Sequence, residues 1–201
     1  MSGERQTVIF DLGDVLCHVD AIRSCHRLAG YSDLSADQIY SILYERPAIY
    51  EFSSGRLTPE QYYAFCRTEA HLDIDIETFH DIFCDIFTLN DSVVQLMSEL
   101  RPVSQFLLLS NTNIWHFPYE DKLFDIAARF DHLILSYEVG AMKPEAAVYA
   151  ATLPHIAHPD KAVFIDDIAG HVEAAEPFGI TGVRFVDAGQ LRTDLTTLGY
   201  L

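Results

Sequence analysis

The stretch VIFDLGDVL, residues 8–16, decides how this sequence folds. Its apolar residues predict a short buried strand, and Asp11 and Asp14 lie on either side of Gly13 where that strand ends. A carboxylate at the end of a buried strand is either a solvated group that caps the following helix or a nucleophile. The other strand ends of the chain distinguish these two interpretations.

The composition excludes several classes of protein. In 201 residues, 13 Lys and Arg stand against 30 Asp and Glu, and 49% of the residues are hydrophobic. The formal net charge of −17 repels nucleic acid and anionic membranes, so neither is expected as a partner. No apolar run approaches the roughly 18 residues that a membrane-spanning helix needs. The chain is expected to be a monomer or a weak homodimer.

The start of the chain and its cysteines favour a cytoplasmic location. MSGERQT, residues 1–7, is polar and lacks the apolar core of a signal peptide. The four cysteines include no CxxC pair and give no sign of a disulfide framework. A reducing cytoplasm is therefore the expected compartment.

Five short apolar runs predict the strands of one sheet. They are continuous rather than alternating, which is typical of parallel strands buried on both faces. Helices predicted over 91–100, 144–153 and 168–178 alternate with the later runs, with Asp91 as an N-cap and Pro144 at a first helical position. The predicted fold is α/β, an open, Rossmann-like doubly wound parallel sheet. The runs are TVIFDL (7–12), QFLLLSN (105–111), HLILS (132–136), AVFIDD (162–167) and TGVRFV (181–186).

Residues 18–88 contain no convincing strand and four recognisable helices. Their sequences are DAIRSCHRLA, SADQIYSILYE, TPEQYYAFCRTEA and DIETFHDIFCDIF. Two of them open with a capping box, SADQ (35–38) and TPEQ (58–61). A helical block inserted after the first strand is expected to cover the carboxyl edge of the sheet, where open α/β sheets bind ligands. The predicted division is a core of residues 1–17 and 89–201 and a small helical cap of residues 18–88.

Polar side chains end several of the predicted strands. Each has an ordinary explanation, since such residues cap helices, begin helices or lie solvated on loops. The carboxyl ends of parallel strands share one edge of a sheet, however, so we expect these side chains to lie together. They would place a candidate nucleophile, a hydroxyl, an amide, a lysine and a carboxylate pair in one site. The residues are Asp11, Ser110, Asn111, Lys143, Asp166 and Asp167.

Four segments resemble motifs one to four of the haloacid dehalogenase (HAD) superfamily in order and spacing. They are FDLGDVL, LLLSNTN, MKPEAAVY and VFIDD with AAEPFGI. The resemblance covers essentially the whole chain and puts residues 18–88 where the family inserts a helical cap. It is closest to the bacterial sugar-phosphate phosphatases that include α-D-glucose-1-phosphate phosphatase. It implies a phosphohydrolase acting on a small phosphate monoester, with a sugar phosphate as the leading substrate class.

The resemblance also implies a nucleophile and a metal site. Asp11 would attack phosphorus and form an aspartyl-phosphate. Mg²⁺ would be held by Asp11, the backbone carbonyl of Gly13 and Asp167, with Asp166 binding directly or through water. His171 stands where the family often has asparagine or aspartate, which would weaken the outer support of the metal. Crowding of Asp166 and Asp167 predicts that replacing either stabilises the metal-free protein.

Substrate-binding residues follow from the second and third motifs. The Ser110 hydroxyl and the amides of Asn111 and Thr112 would bind phosphoryl oxygens. Lys143 would neutralise charge developing on the phosphoryl group and orient Asp11.

Gly13 departs from the family pattern. Most phosphatases of the superfamily carry a second aspartate there, which protonates the leaving oxygen and then activates water; its loss costs about 10²–10⁴ in rate. Asp14 is one residue out of phase and is expected to point away from the phosphoryl site. Histidine titrates near neutral pH, so His18 is the predicted catalytic proton carrier, with a histidine that merely lines the hinge as the alternative.

Two other functions remain open. A metal-independent hydrolytic dehalogenase also lacks the second aspartate and has a similar second motif, but it does not carry the Asp166–Asp167 pair. A non-catalytic phosphate-sensing or protein-binding module on the same fold is the second alternative. Mg²⁺-dependent phosphate release, metal-independent halide release, or neither would distinguish the three.

Overall fold

The chain forms a helical block early and then alternates strands with helices. The structure, a computed structural model, describes residues 5–201, so residues 1–4 of the predicted core segment and of its polar start lie outside the described residues. The strands are β1 (Gln6–Phe10), β2 (Cys17–Val19), β3 (Phe87–Leu89), β4 (Ser104–Ser110), β5 (His132–Leu135), β6 (Ala162–Asp166) and β7 (Thr181–Arg184). The helices are α1 (Ala21–Leu28), α2 (Ala36–Tyr44), α3 (Pro47–Ser53), α4 (Pro59–Glu69), α5 (Ile76–Cys84), α6 (Asp91–Leu100), α7 (His116–Phe124), α8 (Ser136–Val139), α9 (Ala146–Ala150), α10 (Ala169–Ala175) and α11 (Ala188–Thr197).

Strand β1 occupies the centre of the main sheet. It pairs in parallel with β4 on one side and with β6 on the other, and the strand order is β5-β4-β1-β6-β7. After β5 the chain crosses to the far side of β1, so the order reverses between β1 and β6. Ligand sites of open α/β sheets lie at such a reversal. The predicted α/β fold with five parallel strands is confirmed.

Apolar residues of the sheet alternate between two cores, as the pleat requires. Val8 and Phe10 of β1 face a cluster that includes Leu96 of α6 and Leu195 of α11. Ile9 faces the opposite side, where Tyr149 of α9 packs with the neighbouring strands. Both faces are buried, which explains why the strands are continuously apolar in the sequence.

Residues 21–84 fold into five helices around a third apolar cluster. The capping boxes predicted at 35–38 and 58–61 are both present and begin α2 and α4. The prediction of four helices misses α3, a seven-residue helix that opens with Pro47 and has no side-chain cap. Its shortness and the missing cap leave little periodic signal in the sequence.

Two short strands correct the prediction that residues 18–88 hold no strand. β2 and β3 pair antiparallel, with His18 opposite Thr88 and Val19 opposite Phe87. The chain therefore leaves the core and returns to it side by side, as a ribbon. Three-residue strands are too short for a period of two to be read from the sequence.

The three helices predicted between the later strands differ from the structure in their caps or bounds, and α9 also ends early, at Ala150. α6 has Asn90 rather than Asp91 as its N-cap. α9 begins at Ala146 instead of Pro144, because the Glu145 amide donates to the Met142 carbonyl in a turn that precedes the helix. α10 ends at Ala175 rather than residue 178, and a 3₁₀ turn containing Pro177, which has no N–H to donate, follows it.

The helical block touches the core at the end of α3. The Ser136 hydroxyl donates to the Ser53 carbonyl at 2.6 Å in a buried contact. The Tyr50 hydroxyl donates to a Glu145 carboxylate oxygen at 2.5 Å at the surface. Gly55 has φ +72° and lies so close to Tyr137 that an added Cβ would be 2.3 Å from its carbonyl oxygen. Only glycine fits this close approach.

Among residues 5–201, no helix is both long enough and apolar enough to cross a membrane.

Candidate active site

Asp11 lies at the carboxyl end of β1, held from two sides. Its amide donates to the Ile165 carbonyl at 2.9 Å, which extends the pairing with β6 by one residue. Its Oδ1 accepts from the Lys143 ammonium at 2.7 Å and from the Leu12 amide at 2.7 Å. Within residues 5–201 no group donates to Oδ2. The Asp11 side chain is only 11% exposed.

Lys143 links two strand ends. Its side chain is fully buried, with Nζ 2.7 Å from Asp11 Oδ1 and 2.6 Å from Asp166 Oδ2. Asn111 fixes the backbone of this lysine: its Oδ1 accepts from the Lys143 amide at 2.7 Å and its Nδ2 donates to the Lys143 carbonyl at 3.0 Å. Asn111 of the second motif thus positions Lys143 of the third motif.

The two carboxylates that share Lys143 titrate in opposite directions. Burial raises the pKa of Asp11 to about 7, against the lowering effect of Lys143, and the charge of Asp166 raises it further. Burial also raises the pKa of Asp166, but hydrogen bonds from His171 and Lys143 outweigh it and lower the pKa to about 2. Asp166 is therefore the permanent counter-ion of Lys143, while Asp11 carries the more weakly stabilised charge.

A third carboxylate completes an acidic cluster. Asp167 follows β6, and one oxygen from each of Asp11, Asp166 and Asp167 lies within 4.8 Å of the others. Burial and the charge of Asp166 raise the pKa of Asp167. Three carboxylates thus share one buried ammonium, an excess of negative charge suited to a hard divalent cation with oxygen ligands. The donor set fits such an ion.

His171 supports Asp166 from helix α10. Its Nδ1 lies 3.0 Å from Asp166 Oδ2, and the Ile168 amide donates to Asp166 Oδ1 at 2.9 Å. Both oxygens of Asp166 are therefore engaged by the protein. His171 thus positions Asp166, and the weakening of the outer support of a metal stays a prediction.

A cavity of about 350 Å³ lies between the sheet edge and the helical block, lined by Leu12 and Gly13, the two residues that follow Asp11. The sheet contributes Gly13, Ser110 and Thr112 to its wall. The block and its ribbon contribute mainly aromatic and aliphatic side chains, and Lys and Arg are absent from the described lining. These side chains are Val19, Tyr40, Tyr44, Ile49, Ile86 and Phe87.

Thr112 lies at the site, but not with the predicted free amide. Its N–H donates to Ser136 Oγ at 2.9 Å, so that amide is already satisfied. Its buried hydroxyl, in contrast, has no hydrogen-bond partner in the described chain. A phosphoryl oxygen would find the hydroxyl of Thr112 available rather than its amide. The sequence could not show that a serine after β5 reaches this amide.

His18 lies outside the cavity. Strand β2 directs Val19 toward Gly13, where an added Cβ would be 3.4 Å from Val19 Cγ2. Because neighbouring side chains of a strand point to opposite sides, His18 faces a separate cleft that it lines with Asp14 and Asp167. The predicted catalytic role of His18 is not supported by this placement. Asp14 does not line this cavity, and its φ of +53° departs from the extended backbone on which its predicted orientation rested.

The sequence analysis misses one carboxyl of the cavity wall, Glu120. It lies on α7, four residues after His116, so the two side chains share one face of that helix. Glu120 is 1% exposed, and its Oε1 has no hydrogen-bond partner in the part of the chain that the structure describes. The signal available in the sequence is the His116–Glu120 spacing directly after the second motif.

The comparisons with known proteins agree with this fold and site. Residues 6–179 match the model of a family of hydrolases, the haloacid dehalogenase-like hydrolases. The chain belongs to this family, as the motif resemblance implied. The finer assignment to the glucose-1-phosphate phosphatase branch stays a prediction.

Among curated proteins, the chain is 29% identical over 130 residues to the chloroplastic flavin mononucleotide hydrolase 1 of Arabidopsis thaliana. The match covers 63% of this chain and 52% of that protein, so the chain spans about half the length of this relative.

Solved structures show the same fold. A HAD family enzyme of Bacteroides thetaiotaomicron, crystallised with magnesium and inorganic phosphate, superposes with a TM-score of 0.80 at 23% identity, covering 92% of this chain and 96% of that one. L-2-haloacid dehalogenase of Xanthobacter autotrophicus, with chloropropionic acid covalently bound, superposes with a TM-score of 0.67 at 16% identity, covering 98% of this chain and 85% of that one.

Proposed function

We propose that this chain is a Mg²⁺-dependent phosphohydrolase that cleaves a small phosphate monoester through an aspartyl-phosphate on Asp11. The observation that carries the proposal is the state of Asp11. Its Oδ1 is held by Lys143 and the Leu12 amide, and the residues that follow it, Leu12 and Gly13, line a cavity together with Ser110 and Thr112. Held through one oxygen, the carboxylate can present the other to a phosphorus atom.

The surrounding residues suit that step. Lys143 would offset charge on the phosphoryl oxygens, and it lowers the pKa of Asp11 against the effect of burial. The Ser110 and Thr112 hydroxyls line the cavity and would donate to phosphoryl oxygens, together with the Asn111 amide. Since Lys143 is already fixed by Asn111, little reorganisation is needed when the substrate binds.

The metal would be held by Asp11, the Gly13 carbonyl and Asp167. Asp166 would reach it through water, because both of its oxygens already accept hydrogen bonds from the protein. Mg²⁺ bound there would offset the repulsion between the Asp11 carboxylate and a phosphate dianion. The Bacteroides thetaiotaomicron enzyme was crystallised with magnesium, which supports the choice of metal.

The cavity wall favours an uncharged leaving group. Its described lining holds no lysine or arginine that would pair with a second phosphate or a carboxylate, and its aromatic side chains suit the faces of a sugar ring or a larger ring system. A sugar phosphate such as α-D-glucose-1-phosphate leads. Flavin mononucleotide is the second candidate, supported by the Arabidopsis thaliana relative.

The domain division, the cellular location and the oligomeric state predicted from the sequence are part of this proposal. Residues 18–88 would act as the cap that closes over the substrate, and residues 1–17 with 89–201 as the catalytic core. The enzyme would work in the cytoplasm as a monomer or weak homodimer.

The test is phosphate release from a panel of monoesters with Mg²⁺ or with EDTA. Glycerol phosphate and phosphoglycerate form a matched pair, since they differ in the charge of the leaving alcohol. We expect release only with Mg²⁺ and faster release from glycerol phosphate. Chloride release from 2-chloropropionate in EDTA would instead identify a dehalogenase, and no release from any ester would leave a binding module.

A further inference from the structure

The cavity needs a proton carrier that Gly13 does not provide. The backbone at Gly13 accepts a side chain, because an added Cβ would meet only Val19 Cγ2, at an ordinary 3.4 Å. Packing therefore does not explain why the family's aspartate is absent. The group that replaces it has to come from elsewhere in the same cavity. The described lining contains four titratable side chains, Tyr40, Tyr44, His116 and Glu120.

Two of these four side chains are already engaged. His116 Nδ1 lies 3.1 Å from Asn113 Nδ2 and its Nε2 lies 3.3 Å from the Phe83 carbonyl oxygen, so one nitrogen accepts and the other donates. Burial lowers the pKa of His116 to about 3, which keeps the ring neutral. The Tyr44 hydroxyl pairs with Ser24 Oγ at 3.1 Å.

Glu120 has the properties that an acid catalyst requires. It is buried, lines the cavity with Gly13 and Ser110, and keeps one oxygen without a hydrogen bond in the described residues. Burial, and after it the negative charge of Asp11, raise its pKa well above the usual range, which favours the protonated carboxyl. A buried carboxyl oxygen without a hydrogen bond costs stability, which points to a functional role for Glu120.

Other titratable groups surround Glu120. The Cys17 thiol of β2 contacts the carboxyl, Asp11 lies at the end of β1, and Cys84 ends α5. Burial raises the pKa of Cys17 and that of Cys84, so both thiols are neutral. Apart from Asp11, none of these groups competes for the proton of Glu120.

Resting on the phosphohydrolase function proposed above, we propose that Glu120 is the general acid–base of this enzyme, in place of the aspartate that Gly13 lacks. As Asp11 Oδ2 bonds to phosphorus, the bond from phosphorus to the leaving oxygen breaks, and that oxygen takes the proton of Glu120. The products are the free alcohol, the aspartyl-phosphate and the Glu120 carboxylate. Water then attacks the phosphorus and gives its proton to Glu120, releasing phosphate and the Asp11 carboxylate.

The experiment compares an alkyl phosphate with nitrophenyl phosphate at saturating Mg²⁺. An alkyl oxygen needs a proton in order to leave, whereas nitrophenolate leaves without one. Glu120→Gln is therefore expected to lower kcat/KM about 10²–10³-fold for the alkyl ester and less than about tenfold for the aryl ester. Tyr40→Phe tests the remaining titratable side chain of the lining and is expected to lower both rates by the same factor. The infrared carbonyl band of protonated carboxyl groups should lose intensity in Glu120→Gln relative to the wild type.

Gly13→Asp places a carboxyl where most phosphatases of the family have one, and it gives the experiment a second comparison. In the Glu120→Gln background it is expected to recover most of the lost alkyl-ester rate. In the wild type it should raise that rate less than about tenfold, because an acid is already present. This wild-type arm does not require that any Glu120 variant fold.

Several outcomes would overturn the inference. They are equal losses on both esters in Glu120→Gln, a differential loss in Tyr40→Phe instead, or a gain of about 10²-fold or more from Gly13→Asp in the wild type. If the wild type itself releases no phosphate from nitrophenyl phosphate with Mg²⁺, the proposed function fails as well, and the two failures are distinguishable.

Discussion

The two walls of the cavity differ in the charge and polarity of their side chains. At the sheet edge, Lys143 lies between Asp11 and Asp166, and His171 supports Asp166 from behind. Across the cavity, the ribbon and the cap helices present apolar and aromatic side chains, and α7 presents Glu120 without a partner on Oε1. The first wall suits a charged phosphoryl group and a cation, and the second an uncharged leaving group with one proton to receive.

The largest effect should come from removing the nucleophile at the charged wall. Asp11→Asn keeps the volume and the acceptor for Lys143 but cannot form an acyl-phosphate. We expect phosphate release to fall about 10⁴-fold or more while the circular dichroism spectrum is unchanged. Substantial activity in a clean preparation of this variant would mean that the charged wall does not supply the nucleophile.

Lys143→Met tests whether the charges of that wall depend on one another. The variant leaves two buried carboxylates without their shared cation, so we expect a loss of about 3–5 kcal/mol in the free energy of unfolding, measured with urea. We also expect kcat to fall about 10²–10³-fold. Lys122→Met is the control, because Lys122 lies on α7 and does not pair with Asp11 or Asp166. Equal stability of the two variants would contradict the pairing.

The pH dependence of stability sharpens the comparison in metal-free protein. Since the folded pKa of Asp11 is raised to about 7, its contribution favours folding below the unfolded value of 3.8 and is lost as pH rises toward 7. Asp11→Asn removes this loss. The variant should therefore gain stability over the wild type between about pH 4 and 7, by a few kcal/mol, and the gain should level off above pH 7. Urea unfolding in EDTA across this range measures the difference; a constant difference would show that Asp11 is not destabilised by burial.

The two neighbouring aspartates should behave oppositely, which corrects the expectation that replacing either stabilises the metal-free protein. Asp166 has a pKa lowered to about 2, so its removal should cost about 2 kcal/mol or more above pH 4. Asp167 has a raised pKa, so Asp167→Ala should stabilise the apo protein slightly and raise the Mg²⁺ requirement. Mg²⁺ titrations and unfolding in EDTA check both; identical signs for Asp166→Ala and Asp167→Ala would refute the division of roles.

The charged wall was largely predictable from the sequence, whereas the facing wall was not. Asp11, Ser110 and Asp166 end parallel strands, and the strand pattern alone brings them to one edge. The bond from the Ser136 hydroxyl to the Ser53 carbonyl joins residues far apart in the chain, and no local pattern encodes it. The position of His18 outside the cavity depends on a three-residue strand, which is too short to be read from the sequence. Glu120 was missed because an acid on a helix is usually solvated, and its burial depends on tertiary packing.

Trapping the covalent enzyme tests the central claim most directly. The protein is mixed with excess nitrophenyl phosphate and Mg²⁺, quenched in acid during turnover and digested, and the phosphoryl group is located by mass spectrometry. We expect it on the peptide that carries Asp11, and we expect no label in EDTA or in Asp11→Asn. Phosphate release at the full rate with the label on another residue, or release that continues in Asp11→Asn, would contradict the account.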